Sequence, residues 1–298
     1  MTNSDNWKIH NRQLCHEPLA AQQPMNVNTL SKQLVDTLSS YQSCVVAFSG
    51  GVDSAVVAKV AQLALGKCAI AVTGVGPAVA AEELAAARRV ALEIGIEHVE
   101  LPTAEIEREG YVANAPDRCF HCKQELYSVL STFATEQAFK TIANGTNTDD
   151  LGDYRPGLRA ADELQVRSPL VECGLNKEGV RALAHYWNLD VWDKPAAPCL
   201  ASRLAYGQQV TPERLRKIEL AEEHLHGIGI SECRVRFHEG EMARIEVPVE
   251  SLELLASPDV REPLLSRLTE LGFRRVTVDL AGFRSGSLNE GLPLLRGE

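Results

Sequence analysis

A glycine-rich loop stands between a short apolar run and a helical pattern, with the sequence Ser49-Gly50-Gly51-Val52-Asp53-Ser54. Adjacent glycines let a backbone turn without a Cβ clash and approach a ligand closely. The helix that follows offers unpaired N–H groups and the positive end of its dipole, which together suit an anion. The alternative is a tight turn without a ligand. We predict a phosphate site, in which Ser49 and Ser54 add hydroxyl donors and Asp53 contacts Mg²⁺, an ion that prefers oxygen ligands.

A second polar segment follows a later apolar run, with the sequence Asn144-Gly145-Thr146-Asn147 and with Asp149 and Asp150 close behind. The carboxyl ends of parallel strands meet at one edge of a sheet, where ligands of such folds bind. Thr73 ends another apolar run and belongs to the same edge. We predict that Thr73, Gly145 and Thr146 contact the ligand of the glycine loop. For the segment 144–150, capping of a helix is the open alternative.

Three of the eight cysteines stand in segments that could bind a metal or carry out chemistry. Cys119 and Cys122 form a Cys-x-x-Cys pair, which alone is compatible with zinc, an iron–sulfur cluster, a redox pair or coincidence. A structural zinc site needs a second pair, and the chain has no second Cys-x-x-Cys. Cys199 is the next candidate, in a segment stiffened by Pro195 and Pro198. Three thiolates on a four-iron cluster would leave one iron open for an exchangeable group.

The remaining cysteines have simpler interpretations. Cys44 and Cys68 lie in apolar, strand-like runs, so we expect them to be buried. Cys15 belongs to the N-terminal lead-in. Cys173 and Cys233 could supply a fourth ligand, although nothing in their spacing requires it.

The elements that must position these residues follow from hydrophobic periodicity. Short apolar runs predict strands at 44–48, 69–73, 98–101 and 140–143. Helical spacing of apolar residues predicts helices at 28–41, 55–65, 80–94, 122–138 and 177–187. Strands that alternate with helices predict an α/β fold with a doubly wound, mostly parallel sheet.

Past about Arg203 the pattern changes to that of a smaller α+β region. Helices are predicted at 212–225 and 257–271, and strands at 233–238, 242–247 and 274–280, the first two strands forming a hairpin. We predict a lead-in at residues 1–26, an α/β domain at 27–203 and a smaller α+β domain at 204–298.

Charge and hydropathy narrow the class of protein. The net charge of −10 disfavours a large nucleic-acid partner, because proteins that bind nucleic acids usually show a basic surface. The chain has no run of about eighteen apolar residues, so we expect no membrane span. Its polar start does not look like a secretory signal. We therefore expect a cytoplasmic protein whose cysteines stay reduced.

The glycine loop matches SGGxDS, the signature of the PP-loop ATP pyrophosphatases. The resemblance to this superfamily implies an adenine nucleotide alpha hydrolase-like fold. Within that superfamily the chain resembles the LarE family of ATP-dependent sulfur transferases. The stretches that carry this closer resemblance are Asn114–Lys123, Asn144–Asp150, Asp153–Gly157, Pro198–Gly207, Cys233–His238, Ala243–Val247 and Val278–Ser287. With the loop and its flanking elements, they extend from about residue 28 to the end.

The resemblance implies an enzyme that binds ATP and Mg²⁺ and adenylates the carboxylates of pyridinium-3,5-biscarboxylic acid mononucleotide, releasing pyrophosphate. Sulfur then replaces AMP to give thiocarboxylates, as precursors of a nickel-pincer nucleotide cofactor. In one form of the family, the cysteine that matches Cys199 gives up its own sulfur. In the other, three cysteines hold a [4Fe-4S] cluster with an additional sulfide on its free iron. The presence of Cys119, Cys122 and Cys199 resembles the cluster form; the sulfur source and the sulfide donor stay open.

Arginines near the end of the chain match those with which the family binds the phosphate of its nucleotide substrate. Arg234 and Arg236 alternate along one predicted strand and so share a face. Arginine binds phosphate in a bidentate manner, and Arg203 is a further candidate. A solvated strand face is the alternative. Glu222 and Glu223 precede this strand, and Glu223 could reach a metal near the phosphate, although such carboxylates more often lie on the surface.

Three other functions remain open. A PP-loop enzyme that thiolates tRNA would use a similar three-cysteine cluster, but the net charge of −10 and the aromatic content of 5% disfavour it. An adenylating amide synthetase would need an ammonia source. A non-catalytic nucleotide-binding protein would hold structural zinc at the three cysteines. Because the resembling family forms rings of six and open strand edges favour assembly, we expect a homo-oligomer.

Overall fold

The computed structural model of the chain describes residues 26–152 and 156–284. Its helices are α1 (Val27–Ser39), α2 (Val52–Leu65), α3 (Ala81–Ile94), α4 (Glu109–Val112), α5 (Arg118–Glu136), α6 (Pro156–Glu163), α7 (Pro169–Glu172), α8 (Lys177–Tyr186), α9 (Pro212–Gly227), α10 (Leu252–Ala256) and α11 (Pro258–Glu270). Its strands are β1 (Cys44–Ala47), β2 (Ala69–Val75), β3 (Glu97–Pro102), β4 (Thr141–Ala143), β5 (Arg234–His238), β6 (Met242–Glu246) and β7 (Arg275–Val278). Residues 1–25 of the predicted lead-in, with Cys15, lie outside the described residues, as do 153–155 and 285–298.

The first sheet has four parallel strands in the order β3-β2-β1-β4. Apolar residues cover both of its faces. Cys44 and Val46 of β1 pack with α1, α2, α3 and α8, whereas Val45 packs on the opposite face with α5 and α6. A strand buried on both faces needs a continuous apolar run, as β1 has. The prediction of an α/β fold with a doubly wound, parallel sheet is therefore confirmed.

Two helices begin earlier than their apolar spacing predicts, and both changes concern candidate site residues. Helix α2 begins at Val52 instead of residue 55, so Asp53 and Ser54 lie in its first turn. Helix α5 begins at Arg118 instead of residue 122, so Cys119 and Cys122 lie in its first turns. Polar residues at a helix start do not contribute to apolar periodicity, which explains why the predicted boundaries fell too late.

The second sheet contains β5, β6 and β7 in that order, with β5 and β6 antiparallel as predicted for a hairpin and β6 parallel to β7. Val235 and Phe237 point into a second core shared with α9, α10 and α11, so Arg234 and Arg236 occupy the opposite face. The smaller C-terminal α+β region is thus present, while its boundary at residues 203–204 stays a prediction. Among the described helices none is long and apolar enough to cross a membrane.

Candidate functional site

The glycine loop lies between the carboxyl end of β1 and the start of α2. Gly50 has φ of +72°, and a Cβ built there would lie 2.6 Å from the Cα of Ala87, so this position needs glycine. The hydroxyls of Ser49 and Ser54 lie 3.2 Å apart, and Ser54 Oγ donates to the carbonyl of Gly51 at 3.0 Å. The loop therefore holds its shape through its own hydrogen bonds and leaves the start of α2 available for an anion.

The segment that follows β4 contacts this loop directly. A Cβ built on Gly145 would lie 2.8 Å from the backbone nitrogen of Ser54, so the two segments touch at the start of α2. Asn147 Nδ2 donates to Asp53 Oδ1 at 3.1 Å. The open alternative of local capping also describes part of the segment, because the side chain of Asn147 accepts from the backbone N–H of Asp149 at 3.0 Å. The same stretch thus forms a turn and borders the loop.

Lys177 is a member of this site that the sequence did not reveal. Its Nζ lies 2.5 Å from Asp53 Oδ2, and its backbone N–H donates to Asp149 Oδ2 at 2.9 Å. It is the first residue of α8, which Asn176 caps. The lysine supplies a positive charge next to a loop that contains none, and a charge at that position suits phosphate.

Thr73 lies inside β2, which extends two residues beyond its predicted end at residue 73. Its side chain is buried, and its hydroxyl donates to the carbonyl of Phe48 at 2.8 Å. The same oxygen lies 2.8 Å from Nε2 of His98. Its hydroxyl is therefore engaged within the sheet, and its contact with a nucleotide stays a prediction, as do those of Gly145 and Thr146.

The three candidate cysteines come from two segments. Cys119 and Cys122 belong to the first turns of α5, and Cys199 directly precedes a short 3-10 turn at Leu200–Arg203. Burial is the largest of the causes that raise the pKa of the Cys122 thiol to about 12. The charge of Cys199 is the second largest cause, and the charge of Cys119 is a smaller one. The segments adjoin, because Cys122 packs against the core that contains Leu200, next to Cys199, and Arg118, next to Cys119, donates to the carbonyl of Ala201. Cys119 and Cys199 are exposed there, so a ligand can reach them.

Arg118 connects the two cysteine segments. Its Nη1 donates to Asn114 Oδ1 at 2.5 Å and to the carbonyl of Ala201 at 2.7 Å. Burial lowers the pKa of Arg118, but the nearby cysteines and tyrosines, of which Cys199 contributes most, together raise it above its ordinary value. In the described part of the chain no carboxylate forms an ion pair with it. A buried cation without a carboxylate suits a site that receives negative charge.

Tyr111 and Glu105 also border the cysteines and were not predicted. Tyr111 is 1% exposed, and its hydroxyl finds no hydrogen-bond partner in the structure as described. Glu105 is 4% exposed, and its carboxylate lies against Gly76, where a Cβ would come within 2.1 Å of Oε1. Neither residue stands in a motif or at a telling spacing, so the sequence carries no signal for them.

The donor set tests which metal group the cysteines suit. Among the residues that the structure describes, no three His, Cys, Asp or Glu side chains converge as ligands of a single metal ion. Thiolates on a four-iron cluster bind different irons, so they need to share a region without converging on a point. Three thiols beside a cation and an unpartnered hydroxyl suit such a group, and Cys173 and Cys233 are buried elsewhere, Cys173 in the first core and Cys233 in the second.

The prediction that Cys44 is buried is confirmed, whereas the same prediction for Cys68 is wrong. Cys44 begins β1 inside the first core. Cys68 is exposed, because it ends a 3-10 turn at Gly66–Cys68 that precedes β2. The apolar run that follows Cys68 belongs to the strand, but the cysteine itself belongs to the connection.

The arginine candidates differ in what surrounds them. Arg203 is buried and pairs with Glu222 at 3.1 Å, and its Nη1 donates to the carbonyls of Pro198 and Cys199. It therefore holds the Cys199 segment in place. Arg236 is also buried and pairs with Glu246 at 2.8 Å.

Arg234 is half-buried and, unlike the other two arginines, has no carboxylate partner among the described residues. Its Nη1 donates to the carbonyl of Cys233 at 2.6 Å, and its guanidinium lies 5.1 Å from the ring centroid of Phe283. Burial, then the charge of Arg203, lowers its pKa. Glu223 is exposed and lies 3.7 Å from Nη1 of Arg216. Phosphate binding by the arginines and metal binding by Glu223 stay predictions, and Arg234 has the most suitable surroundings for the former.

Comparisons with known proteins agree with this geometry. The family described as NAD synthase matches residues 26–121, which include the glycine loop. An uncharacterized protein of Synechocystis sp. is 42% identical over 247 residues, covering 83% of this chain and 92% of that protein. An uncharacterized protein of Methanocaldococcus jannaschii is 28% identical over 180 residues, covering 60% of this chain and 69% of that protein.

A third relative has a named activity. The pyridinium-3,5-bisthiocarboxylic acid mononucleotide synthase of Lactiplantibacillus plantarum is 36% identical over 267 residues. The match covers 89% of this chain and 95% of that enzyme, so it includes the glycine loop, the cysteine segments and the arginine strand. The chain therefore belongs to the LarE family, within the PP-loop superfamily.

Proposed function

We propose that the chain is an ATP-dependent sulfur transferase that acts on pyridinium-3,5-biscarboxylic acid mononucleotide. It adenylates a substrate carboxylate, releases pyrophosphate and replaces AMP with sulfur to give a thiocarboxylate. The observation that carries the proposal is a phosphate loop and a three-cysteine site in one chain that is 36% identical, over nearly its full length, to the named synthase. The product would serve the biosynthesis of a nickel-pincer cofactor.

Activation of the carboxylate belongs to the loop at the start of α2. The N–H groups there bind the departing pyrophosphate, with Ser49 and Ser54 as further donors. Asp53 would hold Mg²⁺ when ATP binds, because this ion prefers oxygen ligands. Lys177, which pairs with Asp53 at 2.5 Å, then turns its charge to the phosphates. The acyl-adenylate so formed carries a good leaving group, and donors aimed at the developing oxyanion contribute about 3 kcal/mol each.

Sulfur enters at Cys119, Cys122 and Cys199, which would hold a [4Fe-4S] cluster. Such a cluster, ligated by three thiolates, supplies an open iron on which an exchangeable sulfide can be carried. The exposure of Cys199 also keeps the second source open, in which this cysteine gives its own sulfur. In either case Arg118 and Tyr111 face the sulfur. With a cluster, a separate sulfide source would restore the sulfur between turnovers, whereas a Cys199 that gives its own sulfur would be consumed.

The C-terminal region, residues 204–298, binds the phosphate of the substrate and contributes to assembly into a homo-oligomer, while residues 27–203 bind ATP. Arg234 is the arginine we assign to this phosphate, because its guanidinium lacks a carboxylate in the described structure. Arg203 and Arg236 form buried ion pairs with Glu222 and Glu246, respectively, so we assign them a structural role next to Arg234. Arginine forms charge-assisted, bidentate hydrogen bonds to phosphate, which makes the assignment chemically suitable.

The proposal is tested by anaerobic incubation of the protein with ATP, Mg²⁺, sulfide and the biscarboxylate mononucleotide. Mass spectrometry of the nucleotide measures the exchange of oxygen for sulfur, and AMP is measured in parallel. We expect AMP and thiocarboxylate in equal amounts. Formation of AMP with tRNA, together with thiolated tRNA and an unchanged mononucleotide, would overturn the substrate assignment.

The metal content of the purified protein tests the cysteine site separately. Anaerobically purified protein is expected to be brown and to contain about four irons per chain, as a [4Fe-4S] cluster requires. A colourless protein with stoichiometric zinc would instead support a structural metal site. In that case the assay with ATP and sulfide would show whether Cys199 gives its own sulfur in a single turnover.

A further inference from the structure

The buried hydroxyl of Tyr111 is the most unusual polar group at the cysteine site. Tyr111 belongs to the short helix α4, and its side chain is 1% exposed. Its hydroxyl has no hydrogen-bond partner in the structure as described, although a buried tyrosine hydroxyl usually finds one. A buried donor without an acceptor lowers stability, so such a group calls for an explanation.

The helix that carries Tyr111 is tightly fixed against the cysteine helix. A Cβ built on Gly110 would lie 2.3 Å from Nε2 of His121, so α4 packs closely on α5 at this point. Tyr111 and Leu200 share one hydrophobic core, and Cys122 packs against it. The phenol ring therefore stands between the Cys-x-x-Cys segment and the segment of Cys199, with little freedom to turn away.

The surrounding protein offers this hydroxyl no acceptor. Asn114, one turn further on, uses its amide to donate to the carbonyls of Ala205 and Gln208 and its Oδ1 to accept from Arg118. Burial, followed by the charges of Cys199, Cys122 and Glu105, raises the pKa of Tyr111, so the hydroxyl keeps its proton. Glu105 is near, but it does not accept a hydrogen bond from Tyr111. The cysteines adjoin the same core as the ring, so a sulfur group held by them would be an acceptor within this region.

We propose that Tyr111 is a positioning residue whose hydroxyl donates a hydrogen bond to the anionic sulfur held at the three-cysteine site. This inference rests on the proposed function and identifies the group that retains the transferable sulfur. A hydrogen bond to sulfur withdraws part of its negative charge, so it slows loss of sulfide and raises the reduction potential of an iron–sulfur group. Arg118, on the same side, supplies the compensating positive charge.

Tyr111→Phe tests the proposal, with Tyr41→Phe as the matched control. Tyr41 is also a buried tyrosine, but its hydroxyl donates to Glu172 at 2.9 Å, and it packs in the first core instead of the core that Cys122 adjoins. In protein freed of metal, Tyr111→Phe should leave the Tm unchanged or higher, whereas Tyr41→Phe should lower it, because only the second change breaks an existing hydrogen bond. A fall in Tm with Tyr111→Phe as large as that of the control would show an internal partner and overturn the inference.

The iron-loaded protein provides the second readout. In the wild type, transfer to D₂O should shift the iron–sulfur stretching bands in the resonance Raman spectrum; in Tyr111→Phe this shift should be smaller and the reduction potential more negative. Tyr41→Phe should match the wild type. Spectra of Tyr111→Phe that equal those of the wild type would overturn the inference.

Sulfur transfer measured on the same samples separates this inference from the proposed function. Tyr111→Phe should lose bound sulfide several-fold faster than the wild type and make correspondingly less thiocarboxylate per AMP formed. A wild type that makes no thiocarboxylate, with the D₂O shift still dependent on Tyr111, would overturn the proposed function and leave the hydrogen bond standing.

Discussion

The phosphate loop and the cysteine site differ in how far the protein satisfies its own polar groups. In the loop, Asp53 pairs with Asn147 and Lys177, and the serine hydroxyls bond to each other. At the cysteine site, within the described residues, the hydroxyl of Tyr111 has no partner and Arg118 has no carboxylate. The side chains of the loop are thus satisfied within the protein, whereas the cysteine site leaves a hydroxyl and a cation that a ligand could satisfy.

The difference fits the chemistry that we propose for each site. If ATP binds and leaves in every cycle, a loop whose side chains return to internal hydrogen bonds stays folded when it is empty. A sulfur carrier would need to hold its group between cycles, and unpartnered donors would favour the loaded state because they gain their partner there. Under the proposed function, the two sites would thus stabilise opposite states, the empty loop and the occupied cysteines.

The largest expected effect separates the two sites chemically. Cys199→Ala should abolish sulfur transfer but leave formation of AMP, because the loop and its ligands do not include Cys199. The control is Cys68→Ala, which changes an exposed cysteine outside the site and should leave both reactions intact. Assays of AMP and thiocarboxylate measure the two steps. Loss of both in Cys199→Ala would show that the sites are not separable.

Asp53→Asn should affect the formation of AMP at the phosphate loop and not sulfur binding at the cysteine site. The variant keeps a side chain that can contact Asn147 but removes the charge that pairs with Lys177 and that we propose as a ligand of Mg²⁺. We expect AMP formation to fall by about 100-fold, the order of effect found for one electrostatic group in an active site. Metal content and bound sulfide should not change. Asp36→Asn, an exposed change on α1, is the control, and loss of bound iron in Asp53→Asn would contradict the separation.

A smaller effect is expected where the substrate phosphate binds. Arg234→Gln should raise KM for the mononucleotide by about 10- to 100-fold, because a hydrogen bond to a charged group contributes about 1.5–3 kcal/mol. KM for ATP should stay unchanged, since the glycine loop belongs to the predicted domain at 27–203, whereas Arg234 belongs to the predicted domain at 204–298. Arg275→Gln, on the exposed edge strand β7, serves as the control. Equal changes in both KM values would contradict the assignment.

The smallest expected effect is a pH dependence of the free energy of unfolding, caused by His98 in the first sheet, whose ring lies next to the hydroxyl of Thr73. Burial lowers the pKa of His98, and although Glu100 opposes this effect, Arg88 adds to it. The unfolded chain therefore binds a proton more readily, so stability is full above about pH 6.5 and falls as the pH drops towards the folded pKa. Urea unfolding at several pH values measures it. His98→Gln should flatten the curve.

The parts of the site that sequence could predict are those that lie close together along the chain. The loop from Ser49 to Ser54 and the pair Cys119 and Cys122 are contiguous, so residue types and spacing identify them. Lys177 lies 124 residues from Asp53 and belongs to no motif, so only folding brings it to the loop. Tyr111 differs from other core tyrosines only in its missing partner, which is a property of the fold.

The elements were predicted well for a related reason. Strands such as β1 are buried on both faces, so their apolar runs are continuous and easy to recognise. The predicted starts of α2 and α5 were wrong, because both helices begin with polar candidate site residues that interrupt the apolar periodicity. The prediction that Cys68 is buried was also wrong, because apolar composition does not distinguish a strand from the turn before it.

The buried pair of Arg203 and Glu222 has a consequence for the order in which the protein matures. Arg203 fixes the carbonyl of Cys199, and Glu222 accepts from the backbone N–H of Val235 at 2.9 Å. Cys199, the last of the three candidate cysteines, therefore takes its position only after α9 and the hairpin have been synthesised and have docked. Cys119 and Cys122 leave the ribosome much earlier, so the three candidate cysteines come together only once the C-terminal sheet has been translated. A chain truncated before β5 would lack the backbone partner of Glu222 and, under the proposed function, would keep a phosphate loop without its sulfur carrier.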